Sequence, residues 1–355
     1  MKTKTEACLF LVLLLCLSSA ARGQRVETVY SRFQPEVEAS VERALMYLAK
    51  EQKPEGHFED RFGKSTGIAG LVGMAFLSAG HIPGSLPYGE TVERCLDYIL
   101  EGQRSTGLID RGDSGHGPMY AHNIATLFLS ECSGMIDERR QEELEDVLAK
   151  ATRLLLRAQA VKKDPQNQGG WRYKPDSRDS DLSCSGWALM ALRSGKLNGA
   201  PVPDEAIEQA VAYIFRKHDQ RMGTFGYMNP GDKHVDTLTG SGLLCLELCG
   251  YHGHPSTFRA GDYILENHRN LPKFSHEFYG NYYNAQGMFQ LGGKYWEAYA
   301  QWMYEEYLTR QREDGSWHSG GEGAIYGTAM MVLSFTVPYR QLPIYQRDET
   351  VDEPF

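Results

Sequence analysis

The stretch QREDGSW at residues 311–317 decides the fold, because versions of it recur along the chain. In each version a glutamine is followed, after two or three residues, by glycine, any residue, and an aromatic or apolar side chain. The five copies run from Gln52 to Phe58, Gln103 to Ile109, Gln166 to Trp171, Gln220 to Phe225 and Gln311 to Trp317. The interval between the last two copies is about twice as long as the other intervals. It therefore predicts a degenerate sixth copy between them, near Phe274. Self-similarity of this length is typical of a repeat architecture.

Each repeat predicts two helices of different kinds. The helix before the glutamine is amphipathic, as at 41–48 and 92–100. The helix after the turn is apolar nearly all round and rich in small residues, so it must be enclosed by protein. These inner helices are predicted at 66–79, 120–131, 183–193, 238–248 and 326–335. Six such hairpins predict an all-α fold, an (α/α)6 toroid with inner and outer helix rings around a central cavity; an open helical solenoid is the alternative.

The two ends of the chain differ from the repeats. Lys2 and Lys4 precede an apolar run at 8–17 and then small residues, which predicts a signal peptide over 1–23. The protein is therefore expected to be exported, to a periplasm or outside the cell. Residues 24–38 are predicted to be a lead-in segment, 39–337 the repeat domain, and 338–355 an extended C-terminal tail. We expect no transmembrane segment, because the first apolar run is shorter than the roughly twenty residues a spanning helix needs.

Composition excludes several classes of function. The formal net charge of −9 argues against nucleic acid and anionic membrane surfaces as partners. Five cysteines follow the signal segment, all in apolar helical stretches, which predicts buried free thiols rather than a disulfide scaffold. They are Cys95, Cys132, Cys184, Cys245 and Cys249. No phosphate loop, nucleophile elbow or zinc-protease motif is present, so no cofactor and no metal is predicted.

The glutamine, glycine and tryptophan pattern resembles the QW-type repeats of squalene–hopene and oxidosqualene cyclases. The hairpins are also similar to those of protein prenyltransferase β-subunits and of complement-like thioester domains. The resemblance implies that the glutamine and the aromatic ring are structural and tie the outer helix to the following turn. A glutamine at a helix end also has carbonyl groups to bond there, and the ring can pack beside it.

The resemblance to the cyclases also implies a catalytic acid. Those enzymes protonate their substrate with an Asp-x-Asp-Asp motif at the start of an inner helix. Asp179-Ser180-Asp181-Leu182 stands in the matching place, so Asp181 would be the proton donor with Asp179 beside it. Leu182 replaces the last aspartate of the motif, a residue that would tune the acid. The alternative is that Asp181 or Ser183 only caps the inner helix.

Two other family chemistries are not expected. In the prenyltransferases an Asp, a Cys and a His bind zinc, and the matching positions here are Asp181, Ser183 and one near Gly327. Two of the three ligands are therefore missing, and zinc-dependent prenyl transfer is not expected. A thioester needs a cysteine two residues before a Glu-Gln pair, and no cysteine has that neighbourhood.

Polar and aromatic residues near the turns are candidates for ligand binding. In a toroid all six turns lie at one rim, so side chains from distant repeats can share a site. The candidates are His116, His122, Asp236, His276, Glu277, Tyr282 and Tyr326. Each is also explained by a solvated turn, a cap or aromatic core packing.

Three functions remain open at this point. The leading hypothesis is a toroid that binds or acts on an isoprenoid or other extended apolar, lipid-like ligand in its cavity. The second is a carbohydrate-active hydrolase or lyase that uses paired carboxylates at the rim. The third is a non-catalytic scaffold that binds a protein partner, which fits the acidic composition and the incomplete family ligand sets.

Overall fold

A computed structural model of the protein describes residues 28–111, 117–318 and 322–346. These residues form twelve α-helices that alternate between an outer and an inner ring. The outer helices are α1 Val29–Glu51, α3 Gly89–Leu100, α5 Glu138–Ala160, α7 Asp204–Phe215, α9 Pro255–Asn267 and α11 Gly293–Leu308. The inner helices are α2 Thr66–Ser78, α4 Met119–Cys132, α6 Leu182–Leu197, α8 Val235–Leu248, α10 Glu277–Leu291 and α12 Ala324–Phe335. The predicted all-α arrangement of six hairpins is confirmed.

Burial distinguishes the two rings as the sequence predicts. Every residue of α2 is buried, which its run of small and apolar residues allows. The outer helix α5 buries one stripe, which includes Leu144, Leu148 and Leu155, and exposes its charged face. Most of the hydrophobic core therefore lies between the rings and inside the inner ring.

The repeated glycine fixes how each turn meets the next repeat. The five glycines have φ between +73° and +92°, a region that favours glycine. A Cβ at any of them would also overlap a backbone carbonyl of the following outer helix. They are Gly56, Gly107, Gly169, Gly223 and Gly315. Because only glycine meets both conditions, the motif joins each hairpin to its neighbour.

The last repeat uses the same contacts to close the ring. Gly315 packs on the carbonyl of Arg43 in α1. The Gln311 side-chain amide donates to the Ser40 carbonyl at 2.8 Å. Asp60, from the first turn, accepts from the backbone N–H of Tyr326 at 2.8 Å. The open solenoid is thereby excluded, since the sixth hairpin packs on the first.

The structural role predicted for the glutamines is confirmed at Gln52, Gln103 and Gln311. Each side-chain amide donates to the glycine carbonyl of its own turn and to a carbonyl of the next outer helix. The prediction was wrong for Gln166, which is exposed on the loop. Gln159 takes its place and donates to Gly169 at 3.0 Å and to α7 at 2.8 Å. A longer loop separates this glutamine from its glycine, so spacing alone selected the wrong residue.

The prediction was also wrong for Gln220, whose side chain is exposed. His218 occupies the glutamine position, since it pairs with Phe225 in a short β-ribbon just as Gln103 bridges Ile109. The ribbon consists of β1 His218–Asp219 and β2 Thr224–Phe225. The His218 ring lies 4.7 Å from the ring of Phe225, so packing against the aromatic residue is retained without the glutamine.

The fifth hairpin of the ring, α9 and α10, stands where the degenerate sixth copy of the motif was predicted, but its turn is built differently. A 3-10 helix at His268–Lys273 replaces the Gly-containing turn. The buried apolar residue is Leu271, whereas Phe274 is 37% exposed. The degenerate copy therefore keeps its helices and loses the motif.

The structure describes parts of the two terminal segments that were predicted from the sequence. Helix α1 begins at Val29, so most of the predicted lead-in belongs to the first outer helix. The described part of the predicted extended tail contains 3-10 helices at Val337–Tyr339 and Pro343–Tyr345. The predicted signal peptide lies outside the described residues. Within those residues no helix is long and apolar enough to cross a membrane.

The five cysteines are free thiols, as predicted. Cys95, Cys132, Cys184 and Cys245 are buried, and Cys249 is half-buried. Burial raises the pKa of Cys95 to about 12, so this thiol stays protonated at neutral pH.

Candidate functional site

The turns and the inner-helix N-termini share one end of the ring, and five tyrosines gather there. We call this end the mouth and define it by Tyr120, Tyr173, Tyr227, Tyr279 and Tyr326. The rings of Tyr120 and Tyr173 are 5.7 Å apart, and the hydroxyls of Tyr173 and Tyr227 are hydrogen bonded. Tyr279 interacts with both Tyr120 and Tyr326. Tyrosines from five repeats are thus brought together, as the toroid hypothesis predicts for one rim.

Asp181 is fully buried at the mouth, where it caps α6. Its Oδ1 accepts from the Cys184 backbone N–H at 2.8 Å and from the Ser183 hydroxyl at 2.6 Å. Its Oδ2 accepts no hydrogen bond within the described residues. The two interpretations of Asp181 are therefore compatible, because a carboxyl that caps the helix through Oδ1 can also carry and release a proton.

The electrostatics around Asp181 raise its pKa above the ordinary value of an aspartate. Burial raises the pKa of Asp181, and the hydrogen bonds from Ser183 and Cys184 oppose that increase. The Arg172 guanidinium lies 3.6 Å from Oδ2 and opposes it further. Arg172 is shared, however, because it also pairs with the half-exposed Asp179 at 3.0 Å. Asp181 is thus a buried acid whose cationic neighbour is partly engaged elsewhere.

The shared cation is held by aromatic rings. Arg172 lies over Tyr173 at 4.8 Å and over Tyr227 at 5.7 Å from the ring centroids. These contacts fix the guanidinium between the turns of the third and fourth repeats. They also place the rings of Tyr173 and Tyr227 against Arg172, the residue that pairs with both Asp179 and Asp181.

Two predicted binding residues share a pocket next to this cluster. Asp236 and His276 line a cavity of about 240 Å³ together with His234, Thr237, Phe274 and Ser275. The rings of His234 and His276 are 6.0 Å apart, and His234 lies 6.0 Å from the ring of Tyr227. Asp236 accepts from the Tyr263 hydroxyl at 2.8 Å. The pocket therefore lies beside Tyr227 of the mouth.

His122 has a structural position. Its Nδ1 accepts from the Ile109 backbone N–H at 3.1 Å, and its Nε2 lies 3.3 Å from the Ala151 carbonyl. Burial lowers the pKa of His122 to about 4, so the ring is neutral at physiological pH. In three other inner helices a hydroxyl accepts the equivalent hydrogen bond, from the backbone N–H of the aromatic residue in the turn. These hydroxyls belong to Ser185, Thr239 and Thr328.

The other predicted binding residues are distributed over the ring. Glu277 is buried and paired with Arg310 at 2.8 Å, which joins α10 to the turn that follows α11. Tyr282 is fully buried below the mouth, stacked 5.5 Å from Trp187. Tyr326 lies at the mouth with its ring 5.5 Å from Phe62. His116 lies outside the described residues. Binding roles for these residues remain predictions, as do the catalytic roles of Asp179 and Asp181.

We did not predict Tyr120, Tyr173 or Tyr227 as site residues, and we considered Ser183 only as a helix cap and as the position of a missing zinc ligand. A signal for two of them was present, since Tyr173 and Tyr227 each stand two positions after the turn aromatic of adjacent repeats. Tyr120 and Ser183 come together only through the packing of α4 beside α6. Within the described residues, no group of three or more His, Cys, Asp or Glu side chains is arranged to hold a metal ion.

No protein-family profile matches the chain, and no curated protein matches it. Solved structures share its fold. The type II terpene cyclase MstE from Scytonema is 15% identical, with a TM-score of 0.57 over 87% of this chain and 100% of that one. The α-1,6-mannanase from Salegentibacter sp. HEL1_6 is 11% identical, with a TM-score of 0.61 over 85% of this chain and 99% of that one. These similarities confirm the α/α toroid and the resemblance to terpenoid-cyclase-like toroids as a resemblance of fold.

Proposed function

We propose that this toroid binds an extended, largely apolar ligand of isoprenoid type at its mouth and that Asp181 is the acid that protonates it. The observation that carries this proposal is the buried Asp181 carboxyl, which has one oxygen without a hydrogen bond and lies among tyrosines. A general acid must be protonated at the working pH, and burial raises the pKa of Asp181 in that direction. Tyrosine faces stabilise positive charge, which develops on an apolar ligand once it is protonated.

The residues of this chain fit an isoprenoid better than a sugar. A variant of MstE, 14% identical to this chain with a TM-score of 0.57, was solved in complex with its substrate, geranylgeranyl dihydroxybenzoate. The mannanase was solved as an inactive variant, in which two consecutive aspartates were replaced, with α-1,6-mannotriose. The sequence of the present chain contains no pair of consecutive aspartates. A carbohydrate-active site of that kind is therefore less well supported than a single buried acid.

Export is part of the proposal, because residues 1–23 have the pattern of a signal peptide. The ligand would then be met in a periplasm or outside the cell. Mass spectrometry of the protein recovered from its source would test this. We expect a mature chain that begins close to residue 24, and an intact N-terminus would contradict export by this route.

The central experiment compares the full-length protein with Asp181→Asn. Asparagine caps a helix about as well as aspartate, so the variant keeps the fold and loses only the acid. Both proteins are incubated with geranylgeranyl dihydroxybenzoate, and binding is followed by native mass spectrometry. Cyclisation initiated by a proton and ended by its loss changes no mass, so chromatography is used to detect the isomer.

We expect both proteins to retain the prenyl compound and only the wild type to convert it. Conversion by Asp181→Asn at the wild-type rate would overturn the assignment of the acid. Failure of both proteins to bind would overturn the ligand class. A parallel incubation with α-1,6-mannotriose distinguishes the alternative, since retention of the sugar alone would favour a carbohydrate-active rim.

A further inference from the structure

Asp181 has no solvent-accessible surface, so a ligand in the mouth cannot touch its carboxyl as the side chains stand. The residue nevertheless has a hydrogen-bonded connection to the mouth. Its Oδ1 is 2.6 Å from the Ser183 hydroxyl, and that hydroxyl is 2.5 Å from the hydroxyl of Tyr120. Tyr120 is half-buried and belongs to the mouth. Three oxygens thus form a continuous chain from the buried acid to Tyr120, a residue that is partly exposed at the mouth.

The direction of these hydrogen bonds follows from the number of protons. Ser183 has one hydroxyl proton and can donate to only one of its two neighbours. When Asp181 is ionised, Ser183 donates to Oδ1 and Tyr120 donates to Ser183. When Oδ1 carries the proton, both bonds reverse: Asp181 donates to Ser183, Ser183 donates to Tyr120, and the Tyr120 proton is free to point into the mouth. The two protonation states of Asp181 therefore correspond to two orientations of one chain.

We propose that Ser183 and Tyr120 relay the proton of Asp181 to the ligand and that Tyr120 is the residue that touches the reacting atom. The purpose of the relay rests on the proposed function. In one concerted step the ligand gains the Tyr120 proton, Tyr120 takes the proton of Ser183, and Ser183 takes the proton of Asp181. The ligand becomes a cation, Asp181 becomes a carboxylate, and no other co-reactant is needed.

The groups around Asp181 stabilise the carboxylate that this step leaves. The carboxylate that remains accepts the Cys184 N–H at 2.8 Å and lies 3.6 Å from Arg172. Leu182, which stands where the Asp-x-Asp-Asp motif has its last aspartate, is apolar and buried, so it offers no such support. Ser183, the next residue, supplies the hydrogen bond to the acid instead. Ser183 thus gives the acid a polar neighbour, which Leu182 cannot provide.

The test uses Tyr120→Phe and Ser183→Ala in the full-length protein, with geranylgeranyl dihydroxybenzoate as the probe. Each variant removes one hydroxyl of the chain and leaves Asp181 in place. We expect kcat to fall by at least 100-fold in both, as loss of general acid catalysis predicts, with KM nearly unchanged. Ser183→Thr retains a hydroxyl and should restore much of the activity. Tyr88→Phe is the matched control, because the Tyr88 hydroxyl donates to Glu42 on the outer ring.

A second measurement needs no turnover. The infrared carbonyl band of protonated Asp181 is identified by subtracting the spectrum of Asp181→Asn from that of the wild type. We expect this band to shift in Ser183→Ala and, less strongly, in Tyr120→Phe, because the carboxyl loses or weakens its hydrogen bond. An unshifted band in both variants would show that the chain does not exist in solution.

The outcomes separate the two proposals. Full activity of Tyr120→Phe alongside an inactive Asp181→Asn would overturn the relay and keep Asp181 as the acid. Activity of Asp181→Asn would overturn the proposed function itself. If no turnover is found with the wild type, the infrared band alone decides whether the hydrogen-bonded chain is present.

Discussion

The two ends of the toroid are built in different ways. At the mouth, every Gly-containing turn is wedged against the next outer helix. At the opposite end, the loops that lead from inner to outer helices contain glycines with nothing nearby, such as Gly134, Gly199 and Gly253. There the segment at 342–346 closes the inner ring, since Ile344 and Tyr345 are buried against it. The repeats are therefore joined through their turns at the mouth. At the opposite end they are joined through the C-terminal segment in the middle of the ring.

Each end of the toroid also contains a buried carboxyl, and the two carboxyls differ in their hydrogen bonds. Glu131, at the end opposite the mouth, accepts from the Ser194 hydroxyl at 2.5 Å with one oxygen and from the Ile344 N–H at 3.2 Å with the other. Asp181, at the mouth, uses one oxygen for two hydrogen bonds and has none on the other. Burial raises the pKa of both carboxyls. The same chemical group therefore holds the C-terminal segment in one place and, we propose, reacts in the other.

The largest expected difference between the two ends concerns their glycines. Gly315→Ala should lower the free energy of unfolding by about 2–5 kcal/mol, because a left-handed φ and an overpacked contact with Arg43 act together. Gly199→Ala has a similar φ of +84° but open space around it, and should cost only about 1–2 kcal/mol. Urea unfolding of both variants measures this. Equal losses would show that the turns are not wedged.

Glu131 should make stability depend on pH. Burial raises its pKa to about 7 from an ordinary value of 4.5, so the folded protein binds more protons than the unfolded chain between these values. Stability from this group is therefore present at low pH and is lost as pH rises across that window, by about 3 kcal/mol in total. Glu131→Gln removes the titration.

The measurement for Glu131 is urea unfolding of the wild type and Glu131→Gln at pH 5 and pH 8. We expect the wild type to lose more stability than the variant between the two conditions. Parallel behaviour would mean that Glu131 ionises freely in the folded state. The difference between the proteins isolates this group from the other titrating residues.

The repeats at the mouth offer a smaller test. Gln159→Ala should cost about 1–3 kcal/mol, because two buried carbonyls, those of Gly169 and Ala206, lose their donor. Gln166→Ala should change stability by less than about 0.5 kcal/mol, because that side chain is exposed. The order of the two effects decides which glutamine belongs to the motif, and the reverse order would restore the assignment made from spacing.

The glutamines show what the sequence can and cannot predict. The ring was predictable because its signals are local: a glycine that needs positive φ, and inner helices made of small residues. Gln159 and His218 were missed because contacts in the folded ring, not a spacing, define their roles, and loop length varies between repeats. Asp181 was predicted through the family resemblance. Its partner Tyr120 was not, because the two lie 61 positions apart in the sequence and meet only in the folded ring.

The smallest expected effect on stability is that of Asp181→Asn. Asparagine ranks with aspartate as a helix cap and can still accept from Ser183, so the free energy of unfolding should change by only about a few tenths of a kcal/mol. Glu131→Gln is the reference at the other end, where the carboxyl joins the C-terminal segment to the ring. A large loss of stability in Asp181→Asn would mean that Asp181 serves the fold as Glu131 does, and the two ends would then differ in shape but not in chemistry.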